Sequence, residues 1–186
     1  MSNHGSFSED PKTVWLTDPD REDRNMKLLE DFSYTAPDGR VWCAPKDSTI
    51  NGASIPRPLW STVGSPYTDD YRRASIVHDV ACNSPNIPRK EADEMFFHAC
   101  RAGGCNAIQA HILYAGVRLG AWASSSLPKH SLSREKLLFR AHIDTPFNEE
   151  RFLKGKLFDI SADMESLPDD ATIEQLDGII ERHIKV

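Results

Sequence analysis

The chain has 186 residues, of which 39% are hydrophobic and 27% are charged. That balance is typical of one globular domain, with or without an appendage, and not of a disordered chain. The formal net charge is −6, and no dense run of lysine and arginine is present. Both features argue against binding to the phosphate backbone of nucleic acid.

The polarity of the chain also bears on its location. No apolar run reaches the ~18 to 20 residues that a membrane-spanning helix needs. The N-terminus lacks the basic-then-apolar pattern of a signal peptide, which predicts a cytoplasmic protein and leaves open delivery by a non-classical route. The four cysteines are therefore predicted to be free thiols.

The first predicted elements are a leader and a group of strands. Residues 1–12 are polar and are predicted to form a flexible leader. Strand-like segments follow at 13–16 and 26–34, and Pro37-Asp38-Gly39 has strong turn chemistry. Residues 40–44 are then the returning strand of a hairpin.

A proline-rich loop comes next. Asn51-Gly52 is a turn signal, and Pro56 and Pro58 follow it closely. Proline removes a backbone donor and restricts the preceding residue, so this segment is predicted to be an extended, fixed loop.

Three helices are predicted after the loop. They run from Thr68 to about Cys82, from Pro88 to the Gly103-Gly104 pair, and over 107–122, where Asn106 can cap the helix. The third helix is small and apolar nearly all round, which predicts that it is buried. His111 on it is predicted to be a satisfied core histidine.

The last segment is predicted to be a linker at 124–133 and an appendage at 134–186, with a short helix at 134–142. Thr172 and Gln175 form a capping box for a final helix. Its apolar face must pack on the main domain or on a partner. That face comprises Ile173, Leu176, Ile180 and Ile184.

Together these elements predict an α+β fold. A small antiparallel hairpin or sheet and the proline-rich loop pack on a bundle of about three helices, in a core domain spanning 13–123. A helical appendage follows at the C-terminal side.

Three polar residues fall where the helices should be buried. His78 and Asp79 lie on a helix with apolar groups on both sides, and Asp93 flanks the apolar stripe of the next helix. A buried polar group needs a partner. The connection between the helices is short, so Asp93 is predicted to approach His78 and fix its tautomer. An interior hydrogen-bond node is the alternative interpretation of the pattern.

The loop is a second candidate for chemistry. Gly52 permits positive φ, so the loop can present carbonyls to a cation or N–H groups to an oxyanion. Ser54 becomes a nucleophile if His78 reaches it; otherwise it satisfies local backbone groups. Arg57, like Arg89 and Arg118, is predicted to pair with a local carboxylate.

An ordered set of motifs resembles one family, the domain of unknown function 1353 of tailed bacteriophages, prophages and bacteria. The resemblance covers roughly residues 28–122 and implies no established activity. Its motifs are Gly52-Ala53-Ser54-Ile55-Pro56-Arg57, Leu59-Trp60, Ala74 through His78-Asp79, Arg89 through Ala92-Asp93 and Phe96, and Tyr114 through Gly120.

The chain departs from that family at two positions. Asn51 replaces the usual aspartate before the Gly-Ala-Ser step, and Cys82 replaces the usual aromatic residue four positions after the histidine. If the family's aspartate binds a metal, Asn51 weakens the site without abolishing it, because an amide oxygen also binds calcium.

The arrangement also resembles, more remotely, the secreted calcium-dependent phospholipases of the A-two class. That resemblance implies that His78 is the general base for a water molecule and that Asp93 orients it. Asp79 would bind calcium together with carbonyls of the Asn51-Gly52 loop. The disulfide frame and the secretion signal of those enzymes are absent.

Two hypotheses follow for function. The first is a metal-assisted hydrolase with a divalent cation, Ca²⁺ or Zn²⁺, and the working set His78, Asp79 and Asp93. The second is a non-catalytic phage or bacterial accessory protein, in which the same residues form a structural network and the appendage binds an unknown protein partner.

Overall fold

The computed structural model describes residues 4–17, 25–53, 55–56, 59–63, 70–126 and 149–184. Within them the chain has the predicted α+β architecture, with two small antiparallel sheets packed against helices. Several predicted features lie outside these ranges: Ser54, Arg57, Pro58, Thr68, and the short helix at 134–142.

The strands form two three-stranded sheets, with the orders β1-β4-β5 and β2-β3-β6. Every described strand pair is antiparallel. The strands are β1 (Ser6–Phe7), β2 (Thr13–Trp15), β3 (Met26–Leu28), β4 (Phe32–Thr35), β5 (Val41–Ala44) and β6 (Thr49–Ile50).

The predicted hairpin is confirmed. β4 and β5 pair through the register Thr35 to Val41, and Gly39 in the turn has φ 85°. The single strand predicted at 26–34 is wrong. The segment forms two strands, because β3 ends at Leu28 and β4 begins at Phe32 in the other sheet. The carboxylate of Asp31 accepts the backbone N–H of Lys46 at 2.7 Å and holds this break.

The N-terminal segment also differs from the prediction of a flexible leader over 1–12. β1 pairs with β4, and the ring of Phe7 stacks on Phe32 with centroids 5.7 Å apart. This apolar anchor is one residue in a polar stretch, which is why the composition of the stretch hides it.

The helices are α1 (Trp60–Val63), α2 (Arg72–Cys82), α3 (Arg89–Gly103), α4 (Ala107–Ser126), α5 (Glu149–Met164) and α6 (Ile173–Ile184). α2, α3 and α4 follow the three predicted helices. α2 packs on α3 and on the β4-β5 sheet, and α3 packs on α4.

Three predicted helix caps are confirmed, whereas α2 begins later than predicted, at Arg72, with Tyr71 as its N-cap. Gly104 ends α3 in the left-handed conformation, with φ 116°. The side chain of Asn106 accepts the N–H of Gln109 at 2.8 Å at the start of α4. Thr172 and Gln175 exchange both hydrogen bonds of the capping box before α6.

Two helical regions exceed the sequence-based expectation. α4 continues to Ser126, into the predicted linker, and the hydroxyls of Ser124 and Ser125 bond back to the carbonyl of Ala121. α5 has no counterpart in the prediction. Its signal is nonetheless present as apolar residues at helical spacing. They are Leu153, Leu157, Ile160 and Met164, all buried.

The hydrophobic core extends through the helical layer into the C-terminal segment. α5 and α6 pack on each other and on α4, so their buried side chains join the same core as the strands and α2. In the described part of the predicted appendage, the apolar faces of the helices therefore pack on the core. No helix in the described ranges is long and apolar enough to cross a bilayer.

Candidate functional site

The centre of the site is a hydrogen bond between α2 and α3. The Nε2 atom of His78 lies 2.8 Å from Oδ1 of Asp93, and both side chains are 0% exposed. The short connection through Pro88 brings the two helices together as the sequence predicts. The predicted approach of Asp93 to His78 is confirmed.

The imidazole of His78 is contacted by an aromatic ring and by a thiol. The ring of Phe96 lies 4.7 Å away between centroids. The Sγ atom of Cys82 lies 3.4 Å from Nε2 and 3.8 Å from Nδ1. A sulfur in the ring plane and bonded to one nitrogen would be much farther from the other, so Sγ lies over the ring face.

This placement decides how the thiol acts. His78, Cys82 and Asp93 bring potential ligand atoms within 4.8 Å of one another. A metal on Nε2 would place a bound thiolate much farther from Nδ1 than from Nε2, whereas Sγ of Cys82 lies almost as close to Nδ1, at 3.8 Å, as to Nε2, at 3.4 Å. In this arrangement the three side chains do not have the geometry of a tetrahedral zinc centre. Cys82 instead makes a polarisable packing contact that helps to fix the ring.

His78 is suited to the neutral state. Burial lowers its pKa, and the hydrogen bond and charge of Asp93 oppose that effect without overcoming it. Because Asp93 is an acceptor, we assign the ring proton to Nε2. Nδ1 then carries the lone pair. Among the described residues, the hydrogen-bonding group near Nδ1 is the Cys82 thiol, at 3.8 Å.

Asp93 faces two arginines as well as His78. Nε of Arg89 lies 3.0 Å from its Oδ1, and Nη1 of Arg118 lies 3.7 Å from its Oδ2. The prediction that Arg89 and Arg118 pair with local carboxylates is confirmed. Oδ2 of Asp93 is buried and has no hydrogen bond within the described ranges, so Arg118 is near it but not hydrogen-bonded to it.

Asp79 lies on a different side of α2 and binds the proline-rich loop. Its Oδ2 accepts the backbone N–H of Asn51 at 2.7 Å, and the residue is 3% exposed. Gly52, with φ 97°, turns the chain at this contact. The remote resemblance implies loop carbonyls near Asp79, whereas this contact is an N–H donor. Asp79 thus anchors the loop to α2.

Beyond its anchor at Asn51, the loop seats its apolar residues against the helices. Ala53 and Ile55 are each 4% exposed, and Leu59 is buried. Ile55 packs beside Gly116 on α4, where an added Cβ would lie in ordinary van der Waals contact, 3.5 Å from the Ile55 side chain. Ser54 and Arg57 fall in undescribed positions of this loop, and their proposed roles stay predictions.

Sequence reasoning missed the residues that connect the site to the C-terminal helix. Asp177 on α6 accepts a hydrogen bond from the hydroxyl of Tyr114 at 2.7 Å and pairs with Lys90 at 2.7 Å. Nε of Arg118 lies 3.4 Å from Oδ1 of Asp177. One signal was available, because Asp177 follows Leu176 on the apolar side of the final helix.

His111 corrects a second expectation. It is 1% exposed and stacks on Phe97, with centroids 5.9 Å apart and planes inclined by 16°. Neither ring nitrogen has a hydrogen-bond partner in the part of the chain that the structure describes. It is therefore a core histidine, as predicted, but not a satisfied one.

The comparisons with known proteins agree with the resemblance seen in the motifs. A family model described as "Protein of unknown function (DUF1353)" matches residues 26–117. No solved structure matches the chain.

Two curated relatives come from Sinorhizobium fredii (strain NBRC 101917 / NGR234). The uncharacterized protein y4jT is 32% identical over 114 residues, 61% of this chain and 33% of that protein. The uncharacterized protein y4iH is 36% identical over 96 residues, 51% of this chain and 40% of that protein. The matches thus span two fifths or less of each relative.

The matched segment contains the features on which the site depends. It begins at the first residue of β3 and extends into α4, so it includes His78, Asp79 and Asp93 but stops before Arg118 and Asp177. Through residues 26–117, the chain belongs to the family of proteins of unknown function DUF1353.

Proposed function

We propose that the chain is a hydrolase in which His78 is the general base and Asp93 is its orienting partner. The observation that supports this is the buried Nε2 to Oδ1 hydrogen bond of 2.8 Å. It directs the lone pair of Nδ1 away from Asp93. An imidazole held in this way has a fixed tautomer and a raised basicity relative to an unpaired buried ring.

The proposed reaction is the attack of water on an acyl or ester group. Nδ1 of His78 takes a proton from the water as its oxygen bonds to the electrophilic carbon, and the proton then passes to the leaving oxygen. Asp93 stabilises the transient imidazolium. Positioned proton transfer of this kind contributes typically 10²- to 10⁴-fold to a rate.

A divalent cation is part of this proposal. Asp79, with oxygens of Asn51 and Gly52, would hold it, since carboxylate and amide oxygens suit Ca²⁺ better than Zn²⁺. When bound, such a cation supplies Lewis-acid polarisation of the substrate carbonyl. The N–H of Asn51 at Asp79 would have to yield part of that carboxylate to the cation.

The first experiment separates the base from the fold. Wild type, His78→Gln and the control His98→Gln are assayed on phospholipid, ester and peptide substrates, with and without Ca²⁺. We expect wild type and His98→Gln to hydrolyse one class, and His78→Gln to lose at least 10²-fold. Equal rates for all three proteins would remove His78 from the chemistry.

The second experiment tests the cation. Thermal unfolding of wild type and Asp79→Asn is followed after chelation and after addition of Ca²⁺, Mg²⁺, Mn²⁺ or Zn²⁺. A cation at ~100 times its dissociation constant stabilises the folded state by about 2.7 kcal/mol. We expect Ca²⁺ to raise the midpoint of wild type and not of Asp79→Asn. A wild type that responds to none of the four ions contradicts the cation part of the proposal.

A second candidate function has its own supporting observation. The side chains of His78 and Asp93 are 0% exposed, and Nε of Arg89 lies 3.0 Å from Oδ1 of Asp93. That is also what a structural network in a non-catalytic phage or bacterial accessory protein needs. This candidate predicts no hydrolysis by wild type on any class, and a loss of about 1 to 3 kcal/mol of stability in His78→Gln.

A further inference from the structure

The C-terminal helix α6 inserts a carboxylate into the charged cluster around the His78–Asp93 pair. Asp177 is 6% exposed, although it lies on a short helix near the protein surface. It contacts α3 through Lys90 and α4 through Tyr114 and Arg118. A buried carboxylate with contacts on two other helices indicates a specific role in their arrangement.

The link to the site is Arg118, which lies between two carboxylates. Its Nη1 is 3.7 Å from Oδ2 of Asp93, and its Nε is 3.4 Å from Oδ1 of Asp177. Both contacts are ion pairs without a hydrogen bond, because among the described residues neither Nε of Arg118 nor Oδ2 of Asp93 has a hydrogen-bond partner. Arg118 is thus drawn in two directions and does not fully neutralise Asp93.

The position of Arg118 between two carboxylates affects the hydrogen bond between Asp93 and His78. Oδ1 of Asp93 already receives Nε of Arg89 at 3.0 Å. If Arg118 also closed on Oδ2, two guanidinium groups would withdraw charge from the carboxylate that holds His78. A carboxylate fully paired with arginines is a weaker acceptor for the imidazole N–H.

We propose that Asp177 is a positioning residue of the site, which holds Arg118 away from Asp93 and so keeps Asp93 a strong hydrogen-bond acceptor for His78. The C-terminal helix is then a functional part of the site and not an appendage to it. Asp177 lies beyond the segment that the family model matches. In this chain, Asp177 therefore reaches the site from outside the segment that matches the family.

The charge balance predicts opposite effects for two substitutions. In Asp177→Asn, Asp93 is the remaining described carboxylate within 4 Å of Arg118, and the guanidinium should close on it. In Lys90→Gln, Asp177 loses the cation at 2.7 Å and should draw Arg118 more strongly. Lys90 has a side chain 53% exposed, so its replacement does not disturb packing.

The measurement is the NMR resonance of the His78 ring N–H in the full chain, assigned by its loss in His78→Gln. A stronger hydrogen bond to Asp93 moves this resonance downfield. We expect an upfield shift in Asp177→Asn, a downfield shift in Lys90→Gln, and the wild-type position in Asp177→Glu. Glu174→Gln, which removes an exposed charge from the same helix, is the matched control and should leave the resonance in place.

The outcomes are distinct from those of the proposed function. The inference rests on the proposed function, because a positioning residue needs a base to position, but the resonance is read without substrate. A resonance unchanged in both Asp177→Asn and Lys90→Gln overturns the inference even if His78 proves to be catalytic. If Asp177→Asn does not fold, the shift in Lys90→Gln decides, and a shift upfield or no shift contradicts the proposal.

Discussion

Asp93 lies beside His78, Arg89 and Arg118. Its replacement should therefore show how much the stability of the protein depends on this buried carboxylate. Asp93→Asn leaves Arg89 and Arg118 beside an uncharged group. We expect a loss on the order of 3 kcal/mol of unfolding free energy, the lower end for breaking a buried ion pair. Urea unfolding measures it. A loss below about 1 kcal/mol would show that the arginines find other partners.

The matched control lies two residues away on the same helix. Glu91 pairs with Arg40 at 2.7 Å, but both side chains are more than two fifths exposed. Solvent screens such a pair, so Glu91→Gln should cost about 0 to 1 kcal/mol. The difference between the two variants isolates the effect of burial on a carboxylate.

Buried histidines give the protein a predictable pH dependence. Burial is the largest cause that lowers the pKa of each, so the unfolded chain takes up protons at a higher pH than the folded one. Stability should therefore be greatest above the ordinary histidine value of 6.5 and fall as the pH drops below it. The histidines concerned are the buried His78 and His111 and the half-buried His4 and His98.

His111→Phe tests that account at one residue. The variant replaces an unpaired imidazole, stacked on Phe97, by an apolar ring of similar shape. We expect equal or greater stability at pH 8 and a smaller loss between pH 8 and pH 5.5 in urea unfolding. The same loss in both proteins would mean that His111 does not contribute to the pH dependence.

Individual residues of the site were predictable to different degrees. His78 and Asp93 were found because polar residues on apolar helix faces need partners. Asp79 and its neighbouring loop at Asn51 were expected together, but the N–H that Asp79 accepts was not, since the sequence does not show whether a loop presents its N–H or its carbonyl groups. Asp177 was missed because its partners Lys90, Tyr114 and Arg118 lie far from it along the chain.

At the scale of elements, two glycines in helices should respond in opposite directions to alanine. A Cβ on Gly103, at the end of α3, would lie 2.3 Å from the carbonyl oxygen of Asp70. Nothing lies within 4 Å of a Cβ on Gly155 in α5. Gly103→Ala should cost about 1 to 3 kcal/mol through backbone displacement, and Gly155→Ala should stabilise by about 0.5 to 1 kcal/mol.

Thermal unfolding of the two variants checks this pair. A stabilised Gly103→Ala would mean that Asp70 yields without cost, and a destabilised Gly155→Ala would mean that α5 needs its flexibility. The close approach at Gly103 also explains why glycine occurs there in addition to the left-handed Gly104. The sequence predicts the left-handed helix end at Gly104, but it cannot predict the close approach to Asp70 at Gly103.

The elements themselves divide in the same way between local and non-local causes. Helix caps at Asn106, Thr172 and Gly104 were predictable, because they depend on neighbouring residues alone. The break between β3 and β4 was not, because each strand is defined by a partner in a different sheet. Features that depend on neighbouring residues were therefore predictable from the sequence, and features that depend on distant partners were not.

At the scale of the whole molecule, the C-terminal helices should contribute to global stability and not act as a separate module. Leu157 in α5 is 1% exposed, and its neighbour Phe158 is 73% exposed. Leu157→Ala should cost about 2 to 5 kcal/mol, and Phe158→Ala should be nearly neutral. A small loss at Leu157 would instead indicate that α5 detaches easily from α4.

Urea unfolding of the full chain, with tryptophan fluorescence as the signal, provides the comparison. Trp122 on α4 lies 6.1 Å from Phe152 on α5 between ring centroids, so it reports on this interface. The sequence predicted that the final apolar face must pack on something. It could not choose between the core and a partner, because both satisfy the same hydrophobic pattern.

The position of Asp177 has a consequence for synthesis. A ribosome completes residues 26–117, with His78 and Asp93, well before it adds the carboxylate that shares Arg118. Domains begin to fold from their N-terminal side during translation. A nascent chain can thus form the His78–Asp93 contact early, but on the proposed scheme it acquires its full charge balance only when α6 has been made and docked.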